Sequence, residues 1–223
     1  MVTSLSIEQL INYTSKQLNY FYPDSELVNL DDYHDCVLLA LDRLEFCYTK
    51  VALKHYFNGQ HVIFNHLHTD QYIMYLWFLS NNIWKKCQHK SICNKLYYLN
   101  KSLHGVDCMY DTMLPDIFLI FHGVGTMLGK ASYSDFFVAL QGCTVGVNRG
   151  EYPVMDKGVA LAAHSSLIGN CHVGKLVTIS SYTSVFDMNI DEKQVVFKNN
   201  EGKLICKPTM NSYAQSFFNV EII

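Results

Sequence analysis

Histidine and cysteine are the side chains here best suited to proton transfer, nucleophilic attack or metal ligation, and the chain has ten of the first and eight of the second. The cysteines (Cys36, Cys47, Cys87, Cys93, Cys108, Cys143, Cys171 and Cys206) are scattered, and none forms a CxxC pair. They read as reduced thiols that mostly pack, which suits a cytoplasmic protein. Cys87, His89 and Cys93 are close enough to suggest metal ligands. No second half-site with finger-like spacing follows, so no metal is expected. His164 and His172 are eight apart, fit solvent-facing strand positions and are assigned no chemistry. Asp111, Asp116 and Asp135 read as turn or surface residues. More informative is the run Val147-Asn148-Arg149-Gly150-Glu151-Tyr152-Pro153, which interrupts a regular repeat. A loop ejected from a rigid repeat is a favoured place for function.

The repeat that must position such a loop counts in sixes. Met155, Leu161, Leu167, Val173, Ile179 and Val185 follow one another at that spacing. Four places after each of the first five stands a small or β-branched residue: Val159, Ser165, Cys171, Val177 and Thr183. Leu128, Ser134 and Leu140, with Ser132, Val138 and Thr144 at the same offset, repeat the phase earlier. A period of six fits neither a 3.6-residue helix nor an alternating strand. It is the pattern of a hexapeptide β-helix, in which each short strand lays one apolar residue into a shared interior. The competing reading is two or three ordinary strands that count to six by chance, and the unbroken run argues against it.

Residues 6–104 read as helical. Ser6 and Gln9 suit a capping box, with Leu10, Ile11, Thr14 and Leu18 on one face, and Pro23 ends the element. Asp31 or Asp32 is placed to cap a second helix with Val37, Ala40, Leu44 and Cys47 on its seam. Thr69 or Asp70 opens a third, through Tyr72, Ile73, Leu76, Leu79 and Ile83, apolar nearly all round and therefore buried or at a subunit contact. Ser91 is placed to cap a fourth, ended by His104-Gly105. From Val106 glycines punctuate short β-prone pieces, which predicts a helical domain at 1–105, a β-helix at 106–186 and a tail at 187–223 folding back on the coil. At 49% hydrophobic and 17% charged the chain can bury a core, and a net charge of −3 argues against a nucleic-acid footprint. No apolar run is long enough for a membrane span.

A helical half feeding a hexapeptide coil resembles the serine acetyltransferase family. The residues that carry the resemblance are Gly105-Val106-Asp107, Phe121-His122-Gly123-Val124-Gly125, Leu128-Gly129-Lys130-Ala131, Gln141-Gly142-Cys143-Thr144-Val145-Gly146, and Ile168-Gly169-Asn170 with Val173-Gly174. They fall within about residues 65–186, and the aspartate stands fifteen places before the histidine. The resemblance implies an α+β chain with a left-handed parallel β-helix, assembled as a trimer or a dimer of trimers. It implies acetyl-CoA as co-substrate, bound between neighbouring coils. It makes His122 the general base and Asp107 the carboxylate that fixes its tautomer. It offers Val147 N–H, just after Gly146, as the oxyanion donor. Ala163 and Ser181 become the small residues beside the pantetheine arm. Lys175, or Lys198, becomes a partner for the coenzyme phosphates.

The sequence departs from that family at the acceptor. The family's aspartate before the histidine is Phe121 here, and its Arg-His pair before the proline is Glu151-Tyr152. Both partners for an amino-acid zwitterion are missing, and Arg149 would need a reshaped loop to stand in. Phe121 and Tyr152 suggest a ring-stacking wall, which suits the face of a sugar. The expectation is therefore an O-acetyltransferase acting on a sugar or sugar nucleotide, as in surface-polysaccharide assembly. Serine is the alternative acceptor. A non-catalytic trimeric scaffold is a third reading. The metal-dependent hydratase that shares this coil lacks the close histidine pair it would need.

Overall fold

The computed structural model describes residues 1–223. Four helices come first: α1 (Ile7–Phe21), α2 (His34–Tyr48), α3 (Thr69–Cys87) and α4 (Lys90–His104). The Ser6 hydroxyl accepts from the Gln9 N–H at 3.2 Å, and the Gln9 side chain accepts from the Ser6 N–H at 2.9 Å, the reciprocal cap that the sequence predicts. The other starts differ from expectation. Asn29 caps a short 3-10 turn, Leu30–Tyr33, and α2 begins after it without a side-chain cap. His89, not Ser91, caps α4. Thr69 and Asp70 lie inside the first turn of α3, and neither caps it. Every residue of α3 from Asp70 to Ile83 is buried within this chain, against α2, α4 and the first coil strand. That settles the choice between a buried helix and one at a subunit contact. Val2–Thr3 (β1) pairs in parallel with Ile63–Phe64 (β2) and closes the helical half.

The coil has three faces. Phe118–Ile120 (β3), Phe137–Ala139 (β5), Ala160–Leu161 (β8) and Thr178–Ile179 (β11) stack as one parallel face. Met127–Leu128 (β4), Thr144–Gly146 (β6), Ser166–Ile168 (β9) and Ser184–Phe186 (β12) stack as the second. Val154–Met155 (β7) and His172–Val173 (β10), with bridges from Ser132 and Ile190, make the third. Ala160 pairs with Thr178, Ser166 with Ser184 and Val154 with His172, so one turn of coil takes 18 residues, three hexads. Met155, Leu161, Leu167, Val173, Ile179 and Val185 are all buried, and so are their small companions Val159, Ser165, Cys171, Val177 and Thr183.

One turn of the coil is longer. Val138 pairs with Ala160, Thr144 with Ser166 and Ser132 with Val154, each 22 residues on, which is four more than the regular turn. The extra residues form a small hairpin in which Asn148 and Glu151 exchange both backbone hydrogen bonds at 2.9 Å. Arg149 (φ +50°) and Gly150 (φ +87°) hold its tip, the left-handed pair that a type I′ turn demands. After the coil, Gln194–Lys198 (β13) joins the first face and pairs with Leu204–Pro208 (β14). The chain then crosses back to the helices. Ala52 N–H donates to Phe217 O, and Asn219 N–H donates to Lys50 O, both at 2.8 Å.

Candidate active site

His122 stands at the corner between β3 and β4. Its φ is +55°, a left-handed conformation that costs a non-glycine residue about 1–2 kcal/mol. Its side chain is 65% exposed. The corner is pressed against α3 because residue 123 has no side chain: a Cβ there would meet the side chains of Ile120, Val106 and Ile73. That contact carries the His122 imidazole to the start of α3, where its Nδ1 lies 3.8 Å from Asp70 Oδ2. Asp70 is 3% exposed.

The expected pair of His122 with Asp107 is not formed. Asp107 accepts hydrogen bonds from Tyr97 Oη at 2.7 Å and Lys101 Nζ at 2.6 Å, and no oxygen of it lies within 4.0 Å of the His122 ring nitrogens. Partial burial pushes the Asp107 carboxyl up, but the bonds from Lys101 and Tyr97 and the Lys101 charge outweigh it and hold it below the usual carboxylate range. The reason is packing. The last two turns of α4 lay Tyr97 and Lys101 over the start of the coil, where they reach Asp107 first. Asp70 is the residue that sequence reasoning missed. Its one sequence signal, an acid at the opening of an apolar helix, looks like an ordinary cap.

Phe121 does not form an open wall. Its ring lies 4.2 Å from the His122 ring and 5.5 Å from Phe217 of the returning tail, centroid to centroid. Tyr152 fits the expectation better. It is 37% exposed, Lys130 Nζ lies 4.9 Å over its ring, and it lines a cleft of about 730 Å³ with Asp107, Asp111, Gly129 and Gly146. His122 does not line that cleft. Val147, 49% exposed, begins the ejected hairpin beside it, and the Val147 N–H has no acceptor within the chain. Arg149 and Glu151 face the other way, into a polar recess of about 410 Å³ with Asn148, Asn170, Asp187 and Asn189. Asp187 braces that recess by accepting from Asn148 Nδ2 at 3.0 Å and from the Asn170 N–H at 2.8 Å.

Ala163 and Ser181 occupy the His122 edge of the coil on successive turns, since Tyr182 N–H donates to Ala163 O at 3.1 Å. Beside them the rings of His164 and Tyr182 stack at 4.9 Å and 14°. Gly142 completes the column: a Cβ there would sit 2.3 Å from His164 Nδ1. Lys175 stands on a different edge, where the Lys193 N–H donates to Lys175 O and the Leu176 N–H to Lys157 O. Lys198 ends β13 on the surface. All eight cysteines are free, and burial pushes the Cys47, Cys93 and Cys108 thiols up to about 12. No three His, Cys, Asp or Glu side chains stand together as a metal-holding group, and no helix is long and apolar enough to cross a membrane.

A helical half docked on a left-handed parallel β-helix of hexapeptide turns is the fold of serine acetyltransferases. Among solved structures the chain is similar to the serine acetyltransferase of Brucella abortus strain S19, at 17% identity and a TM-score of 0.71 over 93% of this chain and 85% of that one. It is similar to the Neisseria gonorrhoeae enzyme at 14% identity and a TM-score of 0.67, over 95% and 85%. An Entamoeba histolytica serine acetyltransferase solved in complex with cysteine matches at 18% identity and a TM-score of 0.60, over 90% and 73%. No family model matches the chain. No curated protein matches it either.

Proposed function

We propose that this protein is an acetyl-CoA-dependent O-acetyltransferase with His122 as general base. The observation that carries the proposal is an exposed imidazole, held at a left-handed corner beside a buried carboxylate, on an edge of small residues long enough for an extended coenzyme arm. An alcohol is a poor nucleophile at neutral pH, so a positioned base must take its proton as the oxygen attacks. His122 Nε2 takes the acceptor's hydroxyl proton while that oxygen bonds to the thioester carbon. The carbonyl oxygen becomes an oxyanion, for which the unpaired Val147 N–H is a suitable donor. Collapse breaks the carbon–sulfur bond, and the imidazolium returns its proton to the departing thiolate. The products are the O-acetyl ester and free coenzyme A.

Within one chain the His122 corner and the Tyr152 cleft are separate. A site completed between protomers of a trimer joins them, one supplying the base and its neighbour the cleft and the Val147 donor. Serine is the acceptor best supported, because the similar structures are serine acetyltransferases and the Phe121 wall is occupied by Phe217. The exposed Tyr152 ring in a cleft with acids and a lysine favours a sugar hydroxyl as the second reading. Thiol release from acetyl-CoA, measured with L-serine and with a panel of sugars and sugar nucleotides, separates the two. His122→Ala is expected to lower the rate by about 10²–10⁴-fold with either acceptor. Unchanged turnover in that variant refutes the mechanism, and no thiol release with any acceptor refutes the enzyme.

A further inference from the structure

Asp70 is a buried carboxylate that accepts no hydrogen bond from any backbone or side-chain donor, and its one charged-group contact is His122. It lies in the first turn of α3, which has no side-chain cap. The ionisable groups that face it come from every element packed there: Tyr48 of α2, Tyr56 of the following loop, His68 before α3, His104 of α4, and His122 of the coil. Burial pushes the Tyr48 and Tyr56 phenols well above their usual range. Burial pushes His104 down to about 4 and His68 below its usual value. These four are therefore neutral at pH 7, and His122 is the group left to carry a compensating charge. Tyr56 Oη and His68 Nδ1 are themselves buried without partners, so neither satisfies Asp70.

We propose that Asp70, and not Asp107, is the positioning residue of His122: its carboxylate accepts the Nδ1–H bond of the imidazole and leaves the Nε2 lone pair free for the acceptor hydroxyl. This deepens the general-base reading and rests on it for its catalytic meaning. At 3.8 Å the pair is open by about 1 Å relative to a hydrogen bond. A small rotation of the exposed ring closes it, and catalytic bonds that are long in the free enzyme commonly tighten when substrate binds. Asp107 is unsuited to the task because Lys101 and Tyr97 already occupy its oxygens.

The test uses the full chain labelled with ¹⁵N at histidine, in which the ring-nitrogen shifts report the tautomer without reference to activity. In the wild type His122 is expected to carry its proton mainly on Nδ1. In Asp70→Asn it shifts to the Nε2–H form that histidine prefers in water, and in Asp107→Asn it does not shift. In turnover, Asp70→Asn is expected to lower kcat by ~10²-fold with KM within about twofold. The acidic limb of its kcat/KM profile moves to lower pH, because the imidazolium has lost its counter-charge, and Asp70→Glu recovers part of the rate. A merely structural Asp70 moves neither tautomer nor limb. A wild-type ring protonated mainly on Nε2, or a shift produced by Asp107→Asn alone, overturns the proposal, and the wild-type spectrum decides even if Asp70→Asn does not fold. The expected tautomer with no thiol release from any acceptor leaves the pair standing and sinks the enzymatic reading instead.

Discussion

Replacing Gly123 with alanine should damage catalysis more than stability. A Cβ at that position would stand 2.7 Å from Ile120 Cγ2, 2.9 Å from Val106 Cγ2 and 3.1 Å from Ile73 Cδ1. Comfortable carbon–carbon separations are about 3.5–4.0 Å, so the corner must lift by about 1 Å. Relief by rotation is poor, because Ile120 and Val106 are β-branched, buried and stiff at χ1. Overpacking of this kind costs about 1–3 kcal/mol. For a chain of this size each kcal/mol lowers Tm by about 2–4 °C, so a fall of roughly 4–8 °C is the middle of the range. The same lift carries His122 away from α3 and from Asp70. A misplacement of about 1 Å at a reacting group can cost ~10²-fold in rate. Thermal unfolding by circular dichroism and thiol release with the best acceptor read the two effects in one preparation. Gly150→Ala is the control: it also imposes a left-handed alanine, at φ +87°, but meets nothing within 4 Å, so it should cost about 1 kcal/mol and leave the rate alone. A Gly123→Ala protein with wild-type Tm and rate would refute the idea that this missing side chain sets the corner.

Ile179→Ala removes a fully buried rung of the coil and should destabilise by about 2–5 kcal/mol, read as a lower denaturant midpoint at unchanged slope. His104, depressed by burial to about 4, stays neutral in the folded chain while it protonates in the unfolded one. Its contribution is present above the ordinary histidine range and is lost as pH falls from about 6.5 towards 4, by up to about 3 kcal/mol. Unfolding free energies measured across that window should show this slope, and His104→Asn should flatten it. Asp107→Asn should lower Tm at pH 7, where the Lys101 pair is intact, and leave it unchanged near pH 3, because a carboxyl held below its ordinary range loses its advantage as it protonates. A loss of equal size at both pH values would show that the charge is not what stabilises that contact.

Much of the coil was legible in the sequence because its causes are local and periodic. Any residue that must point inward once every six places leaves a mark at that spacing, and Leu161, Leu167 and Ile179 are all fully buried where the count puts them. The break in the count located the ejected hairpin, and Ser6 with Gln9 located the first cap, because each turn or cap is decided by neighbours a few residues apart. The starts of α2 and α4 were less legible, since several residues in a row are able to cap and tertiary packing chooses among them.

The sequence by itself determined the element types, the sixfold coil, the interrupting loop and the identity of the one histidine in a glycine-flanked corner. Only the tertiary structure decided which acid meets that histidine. Asp107 lies nearer in the chain, yet α4 brings Tyr97 and Lys101 to it, while the packing of α3 against Gly123 delivers Asp70 to the ring. Likewise it took the returning tail to fill the face of Phe121 with Phe217. A periodic pattern records what each residue needs from its own strand or helix. The pairing of charges and rings depends on which distant surfaces close over one another, and spacing along the chain carries no mark of that.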